Sequence, residues 1–192
     1  TSMLGSIGLG TINVALALSV GSNALTIALK TQDLGDPAAT DPATFGFRNA
    51  TAATGDYSVI DSTAAASLVI SSGSTMGFSS GTPGRLWIVM FNDAGTLRLG
   101  AINVRSGINI MALMAWGIAS STAEGGAGAA DSAQVFYTGT AVTSKAFAVI
   151  GYATWESGLS TAGTWDAVPT RLQLFGYGVP LPGSVVQRQG NI

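Results

Sequence analysis

Histidine and cysteine are both missing from this chain. Without cysteine there are no disulfides, thiolate nucleophiles or cysteine metal sites. Without histidine as well, Ser-His-Asp and Cys-His catalysis, imidazole general bases, and zinc or copper sites of the common kinds are excluded. Charge is scarce too: Asp, Glu, Lys and Arg make up 9% of the 192 residues, against roughly a quarter in an ordinary globular protein. The few Lys and Arg are scattered from Lys30 to Arg188 and the formal net charge is -2. Phosphate neutralisation therefore has no basic field to work with, and no nucleic-acid partner is expected.

Ser, Thr, Ala, Gly and Asn stand where charges would ordinarily be. A surface with so few charges lacks the usual protection against association, so it is either neutral polar or covered by partner subunits, and we favour subunits. The length suits one large domain or two small ones and is ample for a buried core.

Residues 1–29 carry no charge, yet they do not read as a membrane span or a signal peptide. Ile12, Val14, Leu16, Leu18 and Val20 alternate with Asn13, Ala15, Ala17 and Ser19, the period of a strand with one buried face. After Gly21-Ser22-Asn23 the alternation resumes at Leu25, Ile27 and Leu29, which predicts a hairpin. No basic residue precedes the apolar stretch, as a signal peptide would require.

The same style continues, with short apolar runs at 44–48, 57–61, 67–71, 85–92, 96–104, 134–138, 146–154 and 170–176 separated by Gly, Pro, Asp, Asn and Ser. Such spacing predicts an all-β fold, an antiparallel β-sandwich or jelly-roll-like module. Asn92-Asp93-Ala94-Gly95 suits a type I turn. With a two-residue loop, Leu86, Ile88 and Met90 share one face with Leu97 and Leu99, while Trp87, Val89 and Phe91 project to the other beside Arg98. Both faces are apolar, so both should be covered, by a neighbouring subunit or by a peripheral loop.

Residues 31–44 (TQDLGDPAATDPAT) and 120–132 (SSTAEGGAGAADS) read as loops, the second too flexible to contribute to a core. The run 108–119 (INIMALMAWGIA) fits a buried strand pair or a short buried helix, and is too short to span a bilayer. We expect one all-β module over 1–178, with a subdivision near 108–133 as an alternative. Pro180 and Pro182 stop the last strand, so 179–192 reads as a Pro-containing connector to a following module.

No residue set carries catalysis, and the chain does not read as an enzyme. Asp33, Asp36 and Asp41 would offer hard oxygen ligands to calcium, but they miss the EF-hand spacing, and Asp beside Gly and Pro is ordinary turn chemistry. Asp56, Asp61 and Glu124 would serve a glycosidase pair, yet nothing in the sequence brings two of them together. The glycine-rich 124–128 lacks the strand and lysine context of a phosphate loop. No cofactor is implied. Of the aromatic residues, Trp87, Trp116, Trp155, Trp165, Tyr57, Tyr137, Tyr152 and Tyr177, those most worth weighing as glycan contacts are Trp155, Trp165 and Tyr177. Trp155 and Trp165 flank the loop 156–164 (ESGLSTAGT), although packing is the default for so much apolar area.

Five blocks carry a resemblance: NALTIALKTQDLGDPAATDPATFGFRNATAATGDYSV, SLVISSGSTMGF, RLWIVMFNDAGTLRLGAIN, SSTAEGGAGAADSAQVFY and IGYATWESGLSTAGTWDAVPTRLQLFGYGVPLPGSVVQ. Together, from about Asn23 to Gln187, they resemble a module of tail fibre and other virion fibre proteins of tailed bacteriophages. The resemblance implies a structural virion protein at the tail, neck or capsid surface, generally a homotrimer. Its partners would be its own copies, other virion proteins and a host surface glycan, with no membrane insertion and no catalytic residues to carry over. Two alternatives have the same composition: a carbohydrate-binding receptor-recognition domain and a capsid decoration or cement protein.

Overall fold

The computed structural model describes residues 10–48, 57–105 and 116–175. The expected connector at 179–192, Tyr177, Asp56 and most of the run 108–119 lie outside the described residues. Among those described there is no helix, and the chain is all-β.

Three sheets form. One is β2 (Ala15–Gly21), β3 (Ala24–Lys30) and β6 (Ser67–Ile70), in the order β2-β3-β6. A second is β1 (Thr11–Ile12), β4 (Ala43–Arg48) and β5 (Tyr57–Ser62), in the order β1-β4-β5. The third and largest contains β7 (Gly84–Asp93), β8 (Thr96–Ile102), β9 (Trp116–Ala119), β10 (Thr122–Ala123), β11 (Tyr137–Thr138), β12 (Lys145–Trp155) and β13 (Arg171–Leu174). Its order is β10-β11-β8-β7-β12-β13, with β9 also on β12. All pairings are antiparallel except β10 with β11. The architecture is that of a β-sandwich.

Alternation explains the layers. Leu25, Ile27 and Leu29 of β3, Phe45 and Phe47 of β4, and Leu68 and Ile70 of β6 are all buried on the inner faces of the two smaller sheets. They meet Leu86, Ile88 and Met90 of β7 and Leu99 and Ala101 of β8 in one continuous core. The intervening Trp87, Val89 and Phe91 build a second core on the opposite face with Ile102, Val142, Phe147, Val149 and Phe175. Phe136 and Ala119 pack against it. The peripheral alternative is therefore the one realised: segments of the same chain cover the second face of the large sheet.

A β-bulge in β12 changes which of its residues face each core. Pairing with β7 slips by one residue between Val149 and Gly151. Before the slip the even residues Ala146, Ala148 and Ile150 face the first core; after it the odd residues Ala153 and Trp155 do. One extra residue reverses the parity of everything beyond it. Without the bulge, Trp155 would be on the other face. The far edge of β12 changes partner at the same place, from β9 at Lys145–Ala148 to β13 at Gly151–Thr154.

The two expected hairpins are present, with two-residue loops. Gly21 pairs with Ala24 around Ser22 and Asn23, whose φ values are 51° and 61°. Asp93 pairs with Thr96 around Ala94 and Gly95, at 52° and 94°. Two successive positive φ values define a type I′ turn, whose twist matches the flanking strands. The type I turn expected over residues 92–95 is corrected accordingly. Asn92 remains part of the turn, its Oδ1 accepting from Gly95 N at 2.8 Å.

The glycine-rich segment also differs from expectation. Thr122–Ala123 pairs as a strand, Ala130 is fully buried, and Met76 N donates to Ala130 O at 2.7 Å. Small side chains lower its intrinsic order, but they also let the backbone lie close against the loop between β6 and β7.

Candidate functional site

Trp155 and Trp165 come together, but inside the protein. Their rings meet edge to face at 5.3 Å between centroids, and Phe78 meets Trp155 at 5.7 Å and Trp165 at 5.4 Å. Trp155 is 1% and Trp165 0% exposed. Both indole N–H groups are engaged, Trp155 Nε1 with Ala167 O at 2.8 Å and Trp165 Nε1 with Ser74 O at 2.9 Å.

The loop 156–170 folds back over this end of the sandwich and carries Leu159 and Trp165 into the first core. It is tied to the β6–β7 loop by Gly81 N to Leu159 O and Gly73 N to Gly163 O. Gly158, at φ 73°, lies so close to Thr82 that a Cβ would come within 2.4 Å of its carbonyl oxygen. Of the two readings weighed for these tryptophans, glycan contact and packing, packing is the one the structure takes: they form a plug with no ring face open to a sugar.

The acidic candidates are also drawn into structure. Asp33 accepts from the Thr31 hydroxyl at 2.6 Å and from Gly35 N at 2.8 Å. These two bonds, the hydroxyl's first, hold its carboxyl below the usual carboxylate range, against a smaller opposing effect of desolvation. Asp36 pairs with Lys30 at 2.7 Å, and Asp41 accepts from Asn13 Nδ2 at 2.6 Å. Each carboxylate thus has its own partner, and among the described residues no group of three or more His, Cys, Asp or Glu side chains is placed to share a metal ion. Asp61 accepts from Thr44 Oγ1 on the outer face of β5. Glu124 accepts from Ser71 N, Ser71 Oγ and the buried Ser74 Oγ at 3.0, 2.9 and 2.7 Å. It clamps two loops together, so neither acid is arranged as half of a glycosidase pair.

A polar, solvent-facing constellation of cations and aromatics lies at the β7–β12–β13 end of the large sheet. The exposed Arg85 lays its guanidinium over Tyr152 at 4.2 Å from the ring centroid, with Trp87 at 5.9 Å, and its Nε donates to Thr154 Oγ1 at 3.1 Å. Thr154 pairs in register with Arg85 on one side and Arg171 on the other; Tyr152 pairs likewise with Trp87 and Gln173. Directly opposed residues share a sheet face, so Arg85, Thr154, Tyr152, Gln173 and Arg171 form one patch. Tyr152, Trp87 and Phe175 pack on one another beneath and beside it. Sequence reasoning did not single out Arg85. The available signal was its i,i+2 spacing to Trp87 on an alternating strand, which puts cation and aromatic on one face.

Comparison with protein-family models, curated proteins and solved structures finds no match to this chain.

Proposed function

We propose that the chain is a structural module of a tailed-bacteriophage virion, a tail fibre or related fibre component, that acts in particle assembly and host attachment as a homotrimer. The reading rests on the resemblance of the five sequence blocks, and one structural observation supports it. The outer face of the β1-β4-β5 sheet exposes Ile12, Tyr57 and Val59, each 43% accessible. Ile12 lies opposite Thr44, Val59 opposite Gly46 and Tyr57 opposite Arg48 on neighbouring strands. Exposed apolar side chains around the small Gly46, bordered by Arg48 and Asp61, match the apolar centre and polar rim of a subunit contact. Three copies joined about an axis would make a stiff projection, and multivalency would let weak receptor contacts act together.

Sedimentation equilibrium tests the assembly: a mass of about three chains is expected, and Val59→Glu should shift it towards one. A well-folded monomer of the unaltered chain at micromolar concentration refutes the assembly. Electron microscopy of virions with the protein labelled separates a fibre position from the capsid surface expected of a decoration protein.

A further inference from the structure

The patch around Arg85 is built to receive a carboxylate. Its guanidinium is held in place twice, by stacking on Tyr152 at 4.2 Å and by the Nε bond to Thr154. That leaves the Nη fork with no carboxylate partner among the described residues. Lys30 pairs with Asp36, Arg98 and Lys145 pair with Asp93, and Arg105 Nη1 donates to Pro83 O. A fixed, planar fork with no carboxylate partner among the described residues is the geometry that takes a carboxylate through two parallel hydrogen bonds.

The second cation is set by register. Arg171 also flanks Thr154, and two strand spacings place its Cα about 10 Å from that of Arg85 on the same face. It is exposed and carries only a long 3.7 Å contact to the exposed Glu156, an exchangeable pair. Gln173 lies one row along the same face, opposite Tyr152, with Nε2 donating to Leu174 O at 2.9 Å and its amide oxygen left as an acceptor. Two cations, an amide and a stacked aromatic make a surface for a ligand that combines carboxylates with hydroxyls.

We infer that this face binds an acidic polysaccharide, one bearing uronate or sialate carboxylates, with Arg85 as the principal carboxylate contact and Arg171 and Gln173 as secondary ones. A nucleic acid is the weaker fit, because its dense, evenly spaced phosphates need an extended basic field, whereas this face offers only the two cations Arg85 and Arg171 flanking Thr154. The inference rests on the proposed role in host attachment and specifies what that attachment recognises.

Affinity electrophoresis through gels containing polygalacturonate, polysialate, carboxyl-reduced polygalacturonate or duplex DNA tests it, using the full chain and its Arg85→Gln, Arg85→Lys and Arg171→Gln variants. The full chain should be retarded by at least one of the two acidic polymers and not by the reduced polymer. Arg85→Gln should weaken that retention about tenfold or more, the scale of a charged bidentate contact. Arg85→Lys should restore only part of it, and Arg171→Gln should weaken it severalfold. Circular dichroism melts check that each variant is folded, and Arg171→Gln, at an exposed position, keeps the test valid if Arg85→Gln is not.

Retention by neither acidic polymer, equal retention by the reduced polymer, stronger retention by DNA, or retention unaffected in folded Arg85→Gln and Arg171→Gln would each overturn the inference. Sedimentation on the same samples separates the two proposals. A trimer without polysaccharide retention sinks only this site, whereas a folded monomer sinks the assembly reading whatever the gels show.

Discussion

Replacing Trp165 by alanine should destabilise the protein severely without touching any surface function. The ring is fully buried and packs edge to face against Trp155 and Phe78. An aromatic side chain of this kind buries about 200 Å², and at ~25 cal/mol per Å² that corresponds to ~5 kcal/mol. Alanine retains part of it, and measured truncations of buried Trp cluster at about 3–5 kcal/mol once the remaining cavity is included. For a chain of this length ~4 kcal/mol lowers Tm by about 8–16 °C. Trp165→Phe isolates a smaller effect, because it keeps an aromatic ring but removes the donor to Ser74 O; about 1–3 kcal/mol is expected for the stranded carbonyl. Urea unfolding followed by far-UV circular dichroism, at one fixed protein concentration so that assembly does not distort the comparison, reads both values. A Trp165→Ala protein within about 0.5 kcal/mol of the parent would show that the ring is not in the core, and loss of polysaccharide retention at unchanged stability would return it to the surface.

Ala94→Asn should stabilise the β7–β8 hairpin by about 0.5–1 kcal/mol, since Ala94 is exposed at φ 52° and asparagine tolerates that region far better; a lowered urea midpoint would contradict the assigned turn. Glu124→Gln should cost about 1–3 kcal/mol by replacing a carboxylate that accepts three hydrogen bonds with an amide. Increased proteolytic nicking in the loops it joins is the accompanying sign, and unchanged nicking and stability would remove its clamping role. Asp33 has a depressed folded-state pKa, so its stabilising contribution is present above its unfolded pKa and is lost as pH falls through the lower folded value. Asp33→Asn should therefore flatten the decline in stability below about pH 4, measured as Tm against pH; parallel profiles for parent and variant would refute the assignment.

The strand class, the two principal hairpins and the division of Leu86, Ile88 and Met90 from Trp87, Val89 and Phe91 were legible because they depend on a two-residue period and on nearby turn residues. The candidate site was not legible in the same way. Trp155 and Trp165 have the composition of a sugar platform, and only the closure of the loop 156–170 over Phe78 and Ser74 makes them core. Arg85 looked like an isolated cation until pairing across β12 set it beside Tyr152 and brought Arg171 to the same face.

By itself the sequence determined that this chain is built of alternating strands, that it has neither histidine nor cysteine, and that its Lys and Arg are few and scattered. Those are properties of composition and local periodicity, and they hold in any arrangement of the strands. Tertiary structure alone decided which aromatics are covered, which carboxylates are occupied, that the glycine-rich segment is anchored through Glu124, and that a bulge in β12 turns Trp155 inward. Each of these depends on contacts between residues far apart in the chain, whose partners local periodicity does not specify.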